Sequence, residues 1–184
     1  MTARDIDPIT FEVVRNGLDL LVDEMALTVM RTAHSGIVKD AMDYSTAFCD
    51  RQGRVIAQGL TILMHLGSFP DAVASVLNRY EGRISPGDIF ILNDPYGSGG
   101  IHLPDIFIIK PVFATGALEG FCAVVAHHAD VGGIVPGSNS TDSTEVYQEG
   151  IIIPPVKLVQ DGQINRDIFD LIIAQVRAKR ETAG

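Results

Sequence analysis

Two short segments of the chain contain histidine and aspartate at spacings suited to binding a metal ion. The first is Ile101-His-Leu-Pro-Asp105 and the second is Ala126-His-His-Ala-Asp130. Imidazole nitrogens and carboxylate oxygens are ligands for zinc, manganese and iron, and a catalytic site keeps one position open for water. A lone histidine is more often an ordinary buried ring. The prediction of a metal site therefore requires that the two segments meet.

A β-hairpin between the two segments would bring them together. Residues 106–113 are rich in β-branched and aromatic side chains, residues 115–117 can turn, and residues 119–126 are again apolar. In a hairpin centred on Gly116, Asp105 lies opposite His127. The Cβ atoms of directly paired residues in an antiparallel ladder are about 5 Å apart. The pattern therefore predicts a metal site at one end of a sheet, with His102, Asp105 and His127 as ligands.

The second histidine of the pair is the alternative partner. A register shift of one residue would bring His128 instead of His127 opposite Asp105 and would reverse its face. We prefer His127 as the ligand and include His128 among the candidate catalytic residues. Asp130 is either a ligand, an outer acceptor that orients an imidazole, or a turn residue before Gly132.

Further polar residues are candidates for the same chemistry. Asp43 directly precedes a predicted strand, and is either a fourth ligand, a base, or a solvated turn carboxylate. Glu145, in an irregular segment, is either a catalytic carboxylate or part of a polar loop. His65 precedes a predicted helix and is expected to hydrogen-bond its cap. The Gly97–Gly100 loop lacks the lysine and spacing of a phosphate-binding loop, so we predict no cofactor-binding residues there.

The composition limits the class of protein and its partners. The 184 residues are 46% hydrophobic and 20% charged, which is typical of a globular chain. The net charge of -9 argues against nucleic acid and anionic membranes as main partners. Cys49 and Cys122 lie in apolar stretches and are predicted to be free thiols, although a disulfide is the alternative. With no apolar N-terminal run to serve as a signal peptide, these features predict a cytoplasmic protein.

The elements that must position these residues form one α+β unit over residues 1–184. A helix over residues 8–33, capped by Asp7, is expected to turn a stripe of apolar side chains to the core. That stripe contains Val14, Leu18, Leu21, Met25 and Val29. Strands are predicted at 44–49, 54–58, 89–92 and 151–155 besides the hairpin, and a helix at 69–80. A last helix is capped by Asn165, is expected to turn Ile168, Leu171, Ile172 and Val176 inward, and ends in basic residues 177–180. The sheet is expected to be antiparallel or mixed and to carry the metal site at its end.

Several short segments of the chain form a recognisable set when taken together. They are Asp7-Pro-Ile-Thr-Phe-Glu12, Met30-Arg-Thr-Ala33, Asp43-Tyr-Ser45, His65-Leu-Gly-Ser68, Pro86-Gly-Asp88, Asn93-Asp-Pro-Tyr96, His102-Leu-Pro-Asp105, His127-His-Ala-Asp-Val-Gly-Gly133, Pro136-Gly137, Ser143-Thr-Glu145, Tyr147-Gln-Glu-Gly150 and Ile153-Pro-Pro155. From residue 7 to residue 178, these segments resemble the hydantoinase B family. This family includes the B subunit of ATP-dependent hydantoinases and N-methylhydantoinases, the matching half of 5-oxoprolinase, and subunits of acetone and acetophenone carboxylases.

The resemblance implies a metal-dependent subunit of an ATP-dependent cyclic amidohydrolase. It implies that Asp43, His102, Asp105 and His127 bind zinc or manganese, which favours Asp43 as a ligand or base. It also implies a hetero-oligomer in which an A-type partner subunit binds the ATP. In hydantoinase-like members, ATP activates the oxygen of a cyclic amide, and a metal-bound water then opens the ring.

Two other functions are compatible with the same resemblance. The chain is expected either to act in ATP-dependent carboxylation of a ketone or to be an inactive, truncated interaction module. The B subunits of the family are longer than this chain. We therefore expect it to correspond to the N-terminal part of such a subunit, as a fragment or a split subunit.

Overall fold

A computed structural model describes residues 6–59 and 61–183 of the chain. Within this part, seven strands form one antiparallel sheet with the order β2-β1-β5-β4-β3-β6-β7, and the α+β class with a long N-terminal helix is confirmed. The strands are β1 (Tyr44–Asp50), β2 (Val55–Gln58), β3 (Ile89–Leu92), β4 (Asp105–Ala114), β5 (Ala117–His127), β6 (Val156–Gln160) and β7 (Gln163–Ile164). The α-helices are α1 (Pro8–Thr32), α2 (Gly36–Lys39), α3 (Phe69–Arg79), α4 (Arg166–Gln175) and α5 (Lys179–Thr182), with 3-10 turns at Leu63–Ser68 and Val146–Gln148.

Helices cover both faces of the sheet. Helix α3 packs on the face that contains Phe107 and Ile109 of β4, together with Phe121, Ala123 and Val125 of β5. Helices α1 and α4 pack on the opposite face, against the residues that alternate with these. Since successive side chains of a strand point to opposite faces, each strand contributes to both cores. None of the helices in the described ranges is long and apolar enough to span a bilayer.

Helix α1 begins where its capping residues predict. The Asp7 carboxylate accepts a hydrogen bond of 3.0 Å from the Thr10 amide, and Pro8 occupies the first helical position. The predicted apolar stripe is partly wrong, because Val14 and Leu21 are 56% and 36% exposed. The first ten residues of the helix are all exposed. The buried residues are Val22 and Ala26, each one position after a residue of the predicted stripe, Leu21 and Met25.

The hairpin has the predicted pairing of Asp105 with His127, but an irregularity produces it. The turn consists of Thr115 and Gly116, both with positive φ, and it pairs Ala114 with Ala117. Continued without interruption, this ladder would place Ala126 opposite Asp105. A β-bulge between Val112 and Phe113 leaves one extra residue, Glu119, in β5 and shifts the register by one. The bulge therefore brings His127 to Asp105.

The predicted strand at residues 151–155 is wrong. This segment is irregular, and the strand that pairs with β3 is β6, which starts at Val156. Pro154 and Pro155 have no amide hydrogen for a ladder, and the Ile153 amide donates instead to the side chain of Asn93.

The last helix is capped as predicted but ends earlier. The Asn165 side chain accepts from the Ile168 amide at 3.2 Å, and α4 ends at Gln175. Ile172 and Val176 are buried as predicted, whereas Leu171 is 54% exposed. Arg177 lies beyond the end of α4, and its side chain binds Asp130 at 3.0 Å.

Both cysteines are free thiols, as predicted. Cys49 is buried in the core under α3, and burial raises its pKa to about 12. A thiol with so high a pKa is protonated at neutral pH and is a poor nucleophile or metal ligand.

A buried ion pair joins the loop before β3 to the adjacent strand β6, and its loss is expected to destabilise the fold. The carboxylate of Asp88, which is fully buried, is 2.8 Å from Lys157 Nζ and also accepts from the Ser85 and Asp161 amides. We expect Asp88→Ala to lower the free energy of unfolding by about 3 kcal/mol, because it leaves a mostly buried ammonium without its carboxylate, although Lys157 Nζ keeps its hydrogen bond to the Arg83 carbonyl. Urea denaturation measures this loss, with the exposed Glu81→Ala as control.

The pH dependence of this contribution follows from the pKa of Asp88. Burial alone would raise that pKa, but the hydrogen bonds from Lys157, Ser85 and Asp161 outweigh it and hold the pKa below its usual 3.8. A lowered pKa in the folded state stabilises the protein above pH 3.8, and the stabilisation is lost as the pH falls through the folded value. The difference between wild type and Asp88→Ala should therefore be constant near neutrality and shrink only below about pH 4. A difference already lost at pH 6 would contradict this origin.

Candidate metal centre

The predicted ligands come from the ends of three neighbouring strands. Asp105 is the first residue of β4, His127 is the last of β5, and Asp43 directly precedes β1. The backbone amide of His127 donates to the Asp43 carbonyl at 3.0 Å, which holds these two strand ends together. His102 lies in the loop before β4, where its carbonyl accepts from the Asp105 amide at 3.1 Å.

Three ligand atoms meet in one small triangle. His102 Nε2 is 3.0 Å from Asp105 Oδ1 and 3.1 Å from His127 Nδ1, and the third side of the triangle is 3.2 Å. Two ring nitrogens at this separation can share only one proton. A divalent ion at about 2.1 Å from each ligand separates neighbouring ligands by about 3.0 Å when they are arranged octahedrally. The triangle therefore has the dimensions of one face of a metal-coordination polyhedron.

Electrostatics keeps the central carboxylate ionised. Burial would raise the pKa of Asp105, but hydrogen bonds from His102 and His127 outweigh it and lower the pKa to about 2. The hydrogen bond to Asp105 in turn raises the pKa of His102, although burial opposes it. The charge of Glu149 adds to this increase. A buried negative charge thus lies beside two imidazoles and favours a cation.

Asp43 completes the set of acidic groups at the centre. Its Oδ2 is 4.0 Å from His127 Nδ1. Asp43 Oδ1 and Asp105 Oδ2 are both buried and have no hydrogen-bond partner among the described residues. Because a buried charged oxygen without a partner is costly, these oxygens need a polar or cationic neighbour, which a bound cation, its water or a nearby imidazole supplies.

His65 belongs to this centre, although its position in the sequence suggests only a helix cap. Its Nε2 is 3.5 Å from Asp105 Oδ2 and 3.8 Å from Asp43 Oδ1. The prediction that this side chain bonds the helix cap is wrong, since its Nδ1 contacts Ser45 Oγ at 3.0 Å. The only signal in the sequence was the family resemblance of residues 65–68. Helix α3 follows this segment and packs on the face of the sheet that Asp105 and His127 share, which explains the approach.

His128 points to the opposite face from His127, so the alternative register is wrong. Its Nδ1 donates to the Ala126 carbonyl at 2.9 Å, which leaves Nε2 as an acceptor. Burial lowers the pKa of His128, and the ring is therefore neutral near pH 7. The side chain lines an apolar cavity of about 260 Å³ with Ile106 and Ile172. A catalytic role for His128 stays a prediction.

The other two acidic candidates have local structural contacts. Glu145 is exposed and caps the turn at Val146–Gln148, where its side chain accepts from the Gln148 amide. Asp130 accepts from the amides of Gly132 and Gly137 and binds Arg177, which corresponds to the turn role. Within the described ranges, no hydrogen bond joins Glu145 or Asp130 to the ligand triangle. The catalytic assignment of Glu145 has no support from these contacts and stays a prediction.

Comparisons with known proteins show the family of the chain. The family model described as Hydantoinase B/oxoprolinase matches residues 7–184. The caprolactamase β subunit of Pseudomonas jessenii is 38% identical over 179 residues, which are 97% of this chain and 31% of the relative. The 5-oxoprolinase of Saccharomyces cerevisiae is 37% identical over 166 residues, 90% of this chain and 13% of the relative. The chain thus spans about a third of the length of the first curated relatives it matches.

Solved structures have the same fold. The crystal structure of the ATP-dependent caprolactamase from P. jessenii superposes with a TM-score of 0.87 at 36% identity, covering 98% of this chain and 31% of that one. A nucleotide-free acetone carboxylase superposes with a TM-score of 0.91 at 26% identity, covering 98% of this chain and 24% of that one. On the match of the family model and these likenesses, the chain belongs to the hydantoinase B/oxoprolinase family.

Proposed function

We propose that this chain supplies the divalent-metal site of a cytoplasmic, ATP-dependent enzyme that opens cyclic amides. The observation that carries the proposal is the triangle of His102 Nε2, His127 Nδ1 and Asp105 Oδ1, with sides of 3.0–3.2 Å. The likeness to caprolactamase and 5-oxoprolinase, both named for cyclic amide substrates, supports the class of reaction.

The residues of the centre have distinct roles in this proposal. His102, His127, Asp105 and Asp43 would hold zinc or manganese, which would supply a Lewis acid and a water that is nucleophilic near neutral pH. Asp43 is more exposed than Asp105 and also accepts a proton during the reaction. An unstrained amide resists hydrolysis because of its resonance, which explains the need for ATP.

The ATP would be bound by a partner subunit of the hydantoinase A type. The relative from P. jessenii is itself named a β subunit, which supports a hetero-oligomer. The Gly97–Gly100 segment lacks the lysine and spacing of a phosphate-binding loop, in agreement with nucleotide binding elsewhere.

A second candidate function is ATP-dependent carboxylation of a ketone. The likeness to acetone carboxylase favours it, since that structure superposes with a TM-score of 0.91. The lower identity, 26% against 36% for caprolactamase, leads us to prefer the amide substrate. Activity of the reconstituted complex that requires bicarbonate and a ketone would establish the second function instead.

The metal site is tested by elemental analysis of the purified chain. We expect wild type to retain about one zinc or manganese ion per chain. His102→Ala should retain less than about a tenth of that amount, because the loss of an imidazole opens the ligand triangle. His34→Ala is the matched control, since His34 is exposed and its ring hydrogen-bonds the Arg180 carbonyl, away from the ligand triangle. Equal metal content in wild type and His102→Ala would remove the ligand assignment. Metal binding without any ATP-dependent activity in the complex would favour the inactive module.

A further inference from the structure

Each of the two carboxylates at the candidate metal centre has one oxygen on the side of His127 and the other on the side of His65. Asp105 turns Oδ1 to His102 and His127, and turns Oδ2 to His65 Nε2 at 3.5 Å. Asp43 turns Oδ2 to His127 at 4.0 Å and Oδ1 to His65 at 3.8 Å. Asp105 thus has one oxygen toward both imidazoles and Asp43 has one toward His127, and the other oxygen of each, here called the outer oxygen, faces His65.

His65 is held rigidly in this position. It is 1% exposed, and its Nδ1 lies 3.0 Å from Ser45 Oγ. Ser45 is anchored in turn, since its hydroxyl donates to the Ile62 carbonyl at 2.5 Å. The His65 carbonyl accepts from the Ser68 hydroxyl at 2.6 Å, which fixes the backbone at the start of α3. Because the Ser45 proton goes to Ile62, Nδ1 donates in the contact with Ser45 Oγ, and Nε2 is the ring atom that faces the outer oxygens.

Neither Asp43 Oδ1 nor Asp105 Oδ2 has a hydrogen-bond partner within residues 6–59 and 61–183, and both are buried. Carboxylates that bind a metal through one oxygen normally have the other oxygen oriented by an outer group, and loss of such a group weakens metal binding. His65 is the imidazole on that side of both carboxylates.

We propose that His65 is a positioning residue of the metal centre, and that it orients the carboxylates of Asp43 and Asp105 so that their inner oxygens face the ion. The inference rests on the proposed metal site and adds a residue to it. His65 acts from outside the ligand set, because its Nε2 faces the outer oxygens, at 3.5 and 3.8 Å, and is not one of the three atoms of the ligand triangle.

Metal affinity and the geometry of the bound ion test this role. In the full chain, the dissociation constant for Zn²⁺ is measured by competition with a chromogenic chelator, and the visible spectrum is recorded with Co²⁺. We expect His65→Ala to weaken binding by about 10- to 100-fold and to shift the Co²⁺ bands. His65→Gln should recover most of the affinity, because the glutamine amide reaches the same oxygens with an N–H donor. His34→Ala should match wild type.

A second variant tests the anchor of the ring. Ser45→Ala keeps the imidazole but removes its contact at Nδ1, so we expect a smaller loss of affinity and a shift of the Co²⁺ bands in the same direction. If His65→Ala does not fold, Ser45→Ala and His65→Gln still decide the question.

The outcomes separate this inference from the proposed function. An unchanged Zn²⁺ affinity and Co²⁺ spectrum in the variants of His65 and Ser45 would overturn the positioning role alone. Failure of His65→Gln to recover binding, with three imidazoles counted on the wild-type ion by X-ray absorption, would make His65 a ligand and also overturn it. Wild type that binds neither ion would overturn the metal site itself.

Discussion

Replacement of Asp105 by asparagine is expected to abolish high-affinity binding of divalent metal ions. Asparagine has the same shape, but it removes the one charge that lies within 3.2 Å of both His102 Nε2 and His127 Nδ1. It can also turn an N–H group toward these nitrogens, where the ion would bind. Since loss of an outer group alone costs about 10- to 100-fold, we expect loss of this central ligand to cost at least 100-fold in affinity. Competition with a chelator measures it.

The matched control for this substitution is Asp170→Asn. Asp170 is an exposed carboxylate on α4, so its replacement changes the net charge by the same amount without touching the centre. It should leave the metal affinity within about twofold of wild type, because exposed charges contribute little over long distances in salt. If Asp105→Asn and wild type bound Zn²⁺ equally, the carboxylate could not be a ligand and the candidate centre would be wrong.

Substitution of Asn93 by alanine should lower the free energy of unfolding more than Asp88→Ala does. Asn93 is fully buried, and its Nδ2 donates to the carbonyls of Leu103 and Ile151 at 2.7 and 3.0 Å. Its Oδ1 accepts from the Ile153 amide at 2.7 Å. Alanine leaves three buried backbone groups without partners, at about 1–3 kcal/mol each, so we expect a loss of about 4 kcal/mol. Urea denaturation followed by circular dichroism measures it.

Two further variants sharpen this experiment. Asn78→Ala removes an exposed asparagine from α3 and should change the free energy of unfolding by less than about 0.5 kcal/mol. Asn93→Asp keeps the acceptor for the Ile153 amide but puts a carboxylate against two carbonyls, and should be at least as harmful as alanine. A loss below about 1 kcal/mol in Asn93→Ala would mean that water replaces the missing bonds. Because Leu103 lies between His102 and Asp105, the same variants should also weaken metal binding.

Much of the local structure was predictable because its determinants lie within a few residues. Helix α1 starts after Asp7 and α4 after Asn165, since each side chain accepts from an amide three residues further along. Strand β3 has the predicted ends, Ile89 and Leu92, after the Pro86–Asp88 turn. The end of α4 was not predictable in this way. Arg177 there binds Asp130, 47 residues away in the chain, instead of extending the helix.

The register of the hairpin shows how a correct prediction can rest on an incomplete cause. A turn at Thr115 and Gly116 is readable from residue types, but this turn alone pairs Asp105 with Ala126. The bulge at Glu119 shifts the pairing and also aligns the apolar residues of β5 with the core under α3. A bulge is selected by the packing of both faces of a sheet, which a short stretch of sequence does not specify.

The residues of the candidate metal centre also differ in how far they could be predicted from nearby sequence. His102, Asp105 and His127 were identifiable because one turn and one hairpin connect them within a short stretch of the chain. Asp43 and His65 reach the centre through the pairing of β1 with β5 and the packing of α3 on the sheet. Their residue types showed a potential for chemistry, but their approach depends on contacts between segments distant in the chain. Such contacts form only when the apolar faces of the sheet are buried, so the neighbours of a polar residue at a strand end follow from the fold as a whole.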